Sequence, residues 1–152
     1  MRMLIVATVI LALGCLTPSG MRFEYRSVYV KYTIVGGPVM PEQFTTEYFV
    51  NNTYVSYMRA YPNGTASKFR EGSANMDDAR ALGETIVSAG VFGMSSEYRP
   101  KVALSGDEPN AVLFVSIDGR NKTVALRPYI EEFVPGNLQR IIFGVKNLAM
   151  RP

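Results

Sequence analysis

The chain has 152 residues, 47% of them apolar and 19% charged, a balance that suits one globular domain with its own core. Lys and Arg number 16 against 13 Asp and Glu, and a net charge of +3 is too small to point to nucleic acid. With no His and one Cys, the sequence excludes His-based triads, Cys–His dyads, zinc sites built on His or several Cys, iron–sulfur clusters and disulfide frameworks.

The N-terminus reads as an export signal. Arg2 supplies a positive charge, and residues 3–13 form an unbroken run of apolar and small residues. That run has the length of a secretory apolar region and is short of the roughly 20 residues needed to span a bilayer. It ends in Leu11-Ala12-Leu13-Gly14-Cys15, which resembles a lipoprotein signal with Cys15 as the lipid-attachment residue. Exported proteins normally pair their cysteines, so a lone Cys at this position suggests chemical use. Residues 1–14 are therefore expected to be a signal peptide, 15–27 the anchor residue and its tether, and 28–150 a single α+β domain. The expected location is the outer face of the cell membrane. A plain secretory signal with an incidental Cys is the alternative.

Strands come next. Val28, Val30, Tyr32 and Ile34 alternate with Tyr29, Lys31, Thr33 and Val35, the period of two of a half-buried strand. Gly36-Gly37-Pro38 breaks it. A second strand is expected over residues 44–50, with Asn51-Asn52 as a tight turn because Asn tolerates positive φ. A third is expected over residues 54–61. Pro62-Asn63-Gly64 then signals a hairpin, with its return strand over residues 65–70.

The period then changes to helical. Asn75 is placed to cap a helix whose first turn carries Asp77 and Asp78, near the positive end of the dipole. Ala79, Leu82, Ile86, Val87 and Ala89 follow at helical spacing, and Gly90 suits the left-handed position after the helix. Residues 94–109 read as a long loop with at most a short strand over 102–104. Residues 110–117 and 122–126 form a second hairpin about Asp118-Gly119, ended by Arg127-Pro128. Pro135 fits the first turn of a last helix, whose stripe is Leu138, Ile141, Ile142, Val145 and Leu148, with Lys146 on its solvated side. The expected architecture is an antiparallel sheet in β-β-β-β-α-β-β-α order with both helices on one face.

The candidate chemistry is sparse. Asn51, Asn63 and Asn121 open Asn-x-Thr sequons at expected hairpin tips, where a glycan would be accepted; the same residue types also populate turns for backbone reasons. The carboxylate pairs Asp77-Asp78, Asp107-Glu108 and Glu131-Glu132 are sequence neighbours, which does not set two carboxyls across a cleft as glycosidase chemistry requires. No metal site and no cofactor is implied. Tyr25, Tyr29, Tyr32, Tyr48, Tyr54, Tyr57 and Tyr61, interleaved with Arg26, Lys31 and Arg59, suggest a tyrosine-bearing sheet surface; Tyr is also simply a favoured strand residue. The uncharged loop Gly36, Gly37, Pro38, Val39, Met40 and Pro41 is a candidate contact surface, since its prolines reduce the freedom lost on binding. The alternative is that Val39 and Met40 tuck under the sheet edge.

Gly36-Gly37 after the first strand, Asn63-Gly64 before the helix, Ala79-x-x-Leu82 with Val91-Phe92, Ile117-Asp118-Gly119 with Lys122-Thr123-Val124, and Pro135-x-x-Leu138 together resemble the emfourin family. Emfourins are small proteinaceous inhibitors of thermolysin-like metallopeptidases. The resemblance covers residues 32–148 and implies an α+β fold and a peptidase partner. No inhibitory residue can be matched. The expected function is a non-catalytic, lipid-anchored binding module, a peptidase inhibitor or a binder of another envelope protein, with no nucleic-acid partner. The alternatives are a carboxylate- or tyrosine-based hydrolase or lyase, and a structural envelope lipoprotein.

Overall fold

The computed structural model describes residues 27–36, 44–61, 63–101 and 108–151. The fold is mixed α+β, a seven-stranded sheet with two helices on one face. The strands are β1 (Val28–Val35), β2 (Thr45–Asn51), β3 (Tyr54–Ala60), β4 (Ala66–Ser73), β5 (Glu97–Tyr98), β6 (Asn110–Ile117) and β7 (Arg120–Leu126). They lie side by side in the order β4-β3-β2-β1-β6-β7-β5, so the first strand is central. Helix α1 spans Met76–Ser88 and α2 spans Gly136–Met150.

Two details correct the sequence reading. The sheet is not wholly antiparallel, because β5 pairs parallel with β7 through Glu97–Ala125 and Tyr98–Leu126. This two-residue strand also lies upstream of the expected one; residues 102–104 lie outside the described residues. The signal was weak because a two-residue strand has no period to read.

The turns show why the sequence folds this way. Asp118 and Gly119 have φ of 48° and 80°, the left-handed pair a two-residue hairpin needs. Asp118 also accepts a hydrogen bond from the Ser27 backbone N–H at 2.8 Å, fixing the entry to β1 against this hairpin. The Asn51-Asn52 turn works differently from the expectation. Neither residue is left-handed; the Asn51 side chain accepts from the backbone N–H groups of Thr53 (2.9 Å) and Tyr54 (2.7 Å). Asn75 caps α1 as expected, accepting from the Asp77 N–H at 2.9 Å. Gly90 is left-handed at φ 73°, and Val91 turns back into the core.

Alternation along the strands builds the core. Val28, Val30 and Tyr32 of β1, Val50, Val55 and Tyr57 of β2 and β3, and Leu113, Val115 and Ile117 of β6 are buried beneath the helices. Leu82 and Ile86 of α1 and Leu138, Ile141, Ile142 and Val145 of α2 face them. Leu148 is only partly buried, and Ala149 takes the core position in that last turn. Pro135 precedes the first helical residue, and its carbonyl accepts from the Gln139 N–H at 2.9 Å. Burying a large aliphatic contributes about 1.5–3 kcal/mol, so this shared layer is the main source of stability in a domain with no disulfide.

Candidate functional sites on the two faces of the sheet

The pleat divides the strand aromatics between two surfaces. Tyr32, Tyr48 and Tyr57 point to the inner face, toward the helices. Tyr29 and Tyr54 point to the outer face, together with Phe49 and Phe114. The single tyrosine-bearing surface suggested by composition is therefore two surfaces. Tyr25 lies outside the described residues.

On the inner face, Tyr32 stacks on Tyr48 with ring centroids 6.0 Å apart and meets Tyr129 edge-on at 6.2 Å. Tyr57 extends the cluster at 5.1 Å from Tyr48. Lys146 does not extend into solvent as expected. It is half-buried, and its Nζ stands 5.7 Å from the Tyr32 centroid, 5.9 Å from Tyr129 and 6.0 Å from Tyr48. This is cation–π geometry, invisible to a helical wheel because the rings come from β1, β2 and the segment before α2. Burial, and next the neighbouring Tyr129 hydroxyl, push the Tyr32 phenol far above the ordinary tyrosine range, although the two make no hydrogen bond of good geometry. Tyr48 is raised in the same direction, first by burial and then by Tyr57 and Tyr129. The Tyr32 and Tyr48 phenols are thereby held in the protonated form at neutral pH.

The outer face is uncovered among the described residues. Across it runs a ladder of four aromatics from four adjacent strands. Tyr54 of β3 meets Phe49 of β2 at 5.9 Å, Phe49 meets Tyr29 of β1 at 4.9 Å, and Tyr29 meets Phe114 of β6 at 5.7 Å. The two contacts made by Tyr29 are edge-to-face, at 75° and 80° between ring planes. The rings therefore stand against one another and present no coplanar platform for sugars or bases. Phe69, 54% exposed on β4, extends the apolar surface beside its partner Met58, and Val35 and Val112 carry it toward the other end.

Charge follows the same division. On the outer face of the six long strands, the charged residues with described side chains are Lys31, Glu47 and Glu71. Lys31 pairs with Glu47 at 2.6 Å, and Glu71 accepts from the Tyr54 hydroxyl at 2.9 Å, which raises the Tyr54 phenol above its ordinary range. Arg59, Arg70, Arg120 and Lys122 point inward, toward Phe44, the end of α2, Phe92 and the Met94 carbonyl respectively.

A cleft of about 400 Å³ opens where β4 ends, α1 begins and α2 ends. Val50, Val55, Ala79 and Leu148 are among its apolar lining, and an Asp78–Arg151 ion pair at 2.8 Å lies on it. Asp77 and Asp78 serve the start of α1, and Glu131 and Glu132 form an exposed 3-10 turn with Phe133. Among the described residues no group of three or more carboxylate or thiol side chains is placed to hold a metal ion. No described helix is long and apolar enough to cross a membrane.

The remaining sequence candidates fall in different places. Gly36 is left-handed at φ 90°, and its N–H donates to the Phe44 carbonyl at 3.1 Å. Gly37, Pro38, Val39, Met40 and Pro41 lie outside the described residues, as does Cys15. Asn51 and Asn63 spend their side-chain oxygens on turn N–H groups, in Asn63 that of Thr65 at 2.9 Å, and Asn121 is exposed on β7. The outer ladder was readable in principle: its residues occupy the strand positions opposite the buried set, a signal that counting tyrosines alone misses.

Comparison with protein-family models and with curated proteins finds no match to this chain.

Proposed function

We propose that the protein is a non-catalytic, lipid-anchored module of the extracytoplasmic surface that binds another protein through the outer face of its sheet. The observation that carries this reading is the Tyr54–Phe49–Tyr29–Phe114 ladder, with Phe69 beside it, on a face where no described element covers it. Contiguous exposed apolar surface of this kind is costly in water and is typical of interaction sites. Its few charges are already paired or hydrogen-bonded, which lowers the desolvation cost of covering it. The anchor rests on the Gly14-Cys15 signal, and the peptidase-inhibitor version rests on the emfourin resemblance alone.

The test is chemical cross-linking in intact producing cells, comparing the full chain with Phe49→Ser and Phe69→Ser. Phe69 is exposed and touches little of the core, so its variant should keep the fold by circular dichroism. Proteins linked to the wild type and lost from both folded variants support the reading. An unchanged set of linked proteins sinks it. If a peptidase is among those proteins, a fall in its turnover on adding the purified chain identifies inhibition.

A further inference from the structure

The partner on this face is open to a closer argument, which rests on the reading that the outer face binds protein. We propose that the outer face pairs with the same face of a second copy of this chain, about a two-fold axis running parallel to the strands between β1 and β2.

Three observations lead there. The first is area. Six strands of seven or eight residues, at spacings of about 4.8 Å between strands and 3.4 Å along them, give a face of roughly 700 Å². A stable interface buries about 800 Å² on each partner. Two such faces stacked at about 10 Å would make a sheet sandwich with helices on both outsides.

The second is the position of the charge pair. In the order β4-β3-β2-β1-β6-β7, strands β2 and β1 are the middle two. Lys31 is the fourth residue of β1's eight and Glu47 the third of β2's seven, so their ion pair sits at the centre of the face. A two-fold contact is self-complementary: whatever residue i meets on the partner, that residue meets i in return. Rotation about the proposed axis lays β1 over β2 of the second copy. Lys31 then reaches Glu47 of the second copy across the same diagonal by which it reaches its own. The pair becomes a ring of four alternating charges, and covering the face leaves neither charge without a partner. A patch carrying one sign at its centre would repel its own copy.

The third is the aromatic ladder. An axis parallel to the strands preserves height along them. Phe49 of one copy therefore comes over Lys31 of the other, its register partner on β1, ring against the aliphatic stem and ammonium, with Tyr29 two residues further along the same strand. The same axis leaves both Ser27 ends on one side, as two chains anchored in a single membrane require.

The experiment co-expresses two differently tagged full-length chains and measures their co-purification after detergent extraction. Wild-type tags should co-purify. Lys31→Glu paired with itself, and Glu47→Lys paired with itself, should each lose at least about ten-fold, because like charges then meet at the centre. Lys31→Glu paired with Glu47→Lys should recover, since every contact across the axis is again between opposite charges. That recovery also shows that both variants fold, and the single-variant pairs control for chains that merely share a micelle. If wild-type tags fail to co-purify, if single variants co-purify as well as wild type, or if the mixed pair does not recover, self-pairing is overturned. In those cases the cross-linking comparison of Phe49→Ser and Phe69→Ser decides separately whether the face binds some other protein.

Discussion

Lys146 of α2 stands with its Nζ 5.7 Å above the ring of Tyr32, a residue fully buried in the centre of the sheet. The contact joins the last helix to the first strand through a charge and a ring. Tyr48 and Tyr129 flank the same ammonium at 6.0 and 5.9 Å. Lys146→Ala should therefore cost about 1 kcal/mol, the range of a partly desolvated cation–π contact, and lower the melting temperature measurably. Lys146→Met, which keeps the stem and loses the charge, should recover part of the loss. Equal melting temperatures for wild type and Lys146→Ala would return the side chain to the solvated role the helix pattern suggests.

Tyr32 makes a second prediction, on the alkaline side. Its phenol is raised well above the value of about 10 that it has in the unfolded chain. Below that pH both states hold the proton and stability is unaffected. Above it the unfolded state releases the proton first and binds fewer protons than the native state, so stability falls by up to about 1.4 kcal/mol for each pH unit. Tyr48 and Tyr54 act in the same direction. Tyr32→Phe should leave stability at neutral pH within about 1 kcal/mol of wild type, because the hydroxyl it removes makes no hydrogen bond of good geometry. It should also flatten the decline above pH 10. Parallel denaturation curves for the two proteins between pH 9 and 11 would defeat the argument.

The fold was largely legible because its signals were periodic. The Val28, Val30, Tyr32, Ile34 alternation and the Leu138, Ile141, Ile142, Val145 stripe each gave an element and the side it buries. Asn75, Gly90 and Asp118-Gly119 marked boundaries through backbone chemistry. What the sequence hid was relational. Whether Tyr29 meets Phe49 or Tyr32 depends on register between strands, and register is set by turns and by the buried face together. The placement of Lys146 needed three separate segments to converge. The pairing of Lys31 with Glu47 needed β1 to lie beside β2 across the 36–44 connection and also their diagonal offset, neither of which a local pattern supplies.

The seam between the helices supports a third prediction. A Cβ added at Gly144 of α2 would stand 3.0 Å from Leu82 Cδ1 of α1, tighter than side chains normally pack, whereas one added at Gly136 meets nothing within 4 Å. Ala is worth up to about 1 kcal/mol over Gly inside a helix. At Gly136, in the first turn, that gain should be small and unopposed. At Gly144 overpacking of about 1–3 kcal/mol opposes it, for a net loss. Ile141→Ala, in the same helix and fully buried, should cost more, about 2–5 kcal/mol. Chemical denaturation should thus rank Gly136→Ala at or above wild type, then Gly144→Ala, then Ile141→Ala. A stabilised Gly144→Ala would show that the two helices separate easily, and an unchanged Ile141→Ala would remove α2 from the core.

The last prediction concerns attachment. The described domain begins at Ser27, whose N–H donates to Asp118 at 2.8 Å, so Ser27 is fixed at the end of the sheet that carries the Asn51–Thr53 and Asp118–Gly119 turns. If Cys15 carries lipid, residues 16–26 link it to this end of the sheet. One acyl chain alone binds a bilayer marginally, whereas two bind stably, so a diacylated Cys should hold the chain in the membrane fraction through high salt and alkaline washes. Loss of Arg2 with the signal would leave a net charge of +2 from the original +3, too little to hold the domain on an anionic surface by itself. Cys15→Ser should therefore release the domain into the medium or leave it unprocessed, with a mass that still includes residues 1–14. The Ser27–Asp118 bond is independent of the anchor, so the released variant should keep the melting temperature of the wild-type domain. A Cys15→Ser protein that fractionates with membranes as the wild type does, together with an unmodified Cys15 in the wild-type mass spectrum, would show that attachment is not through this residue.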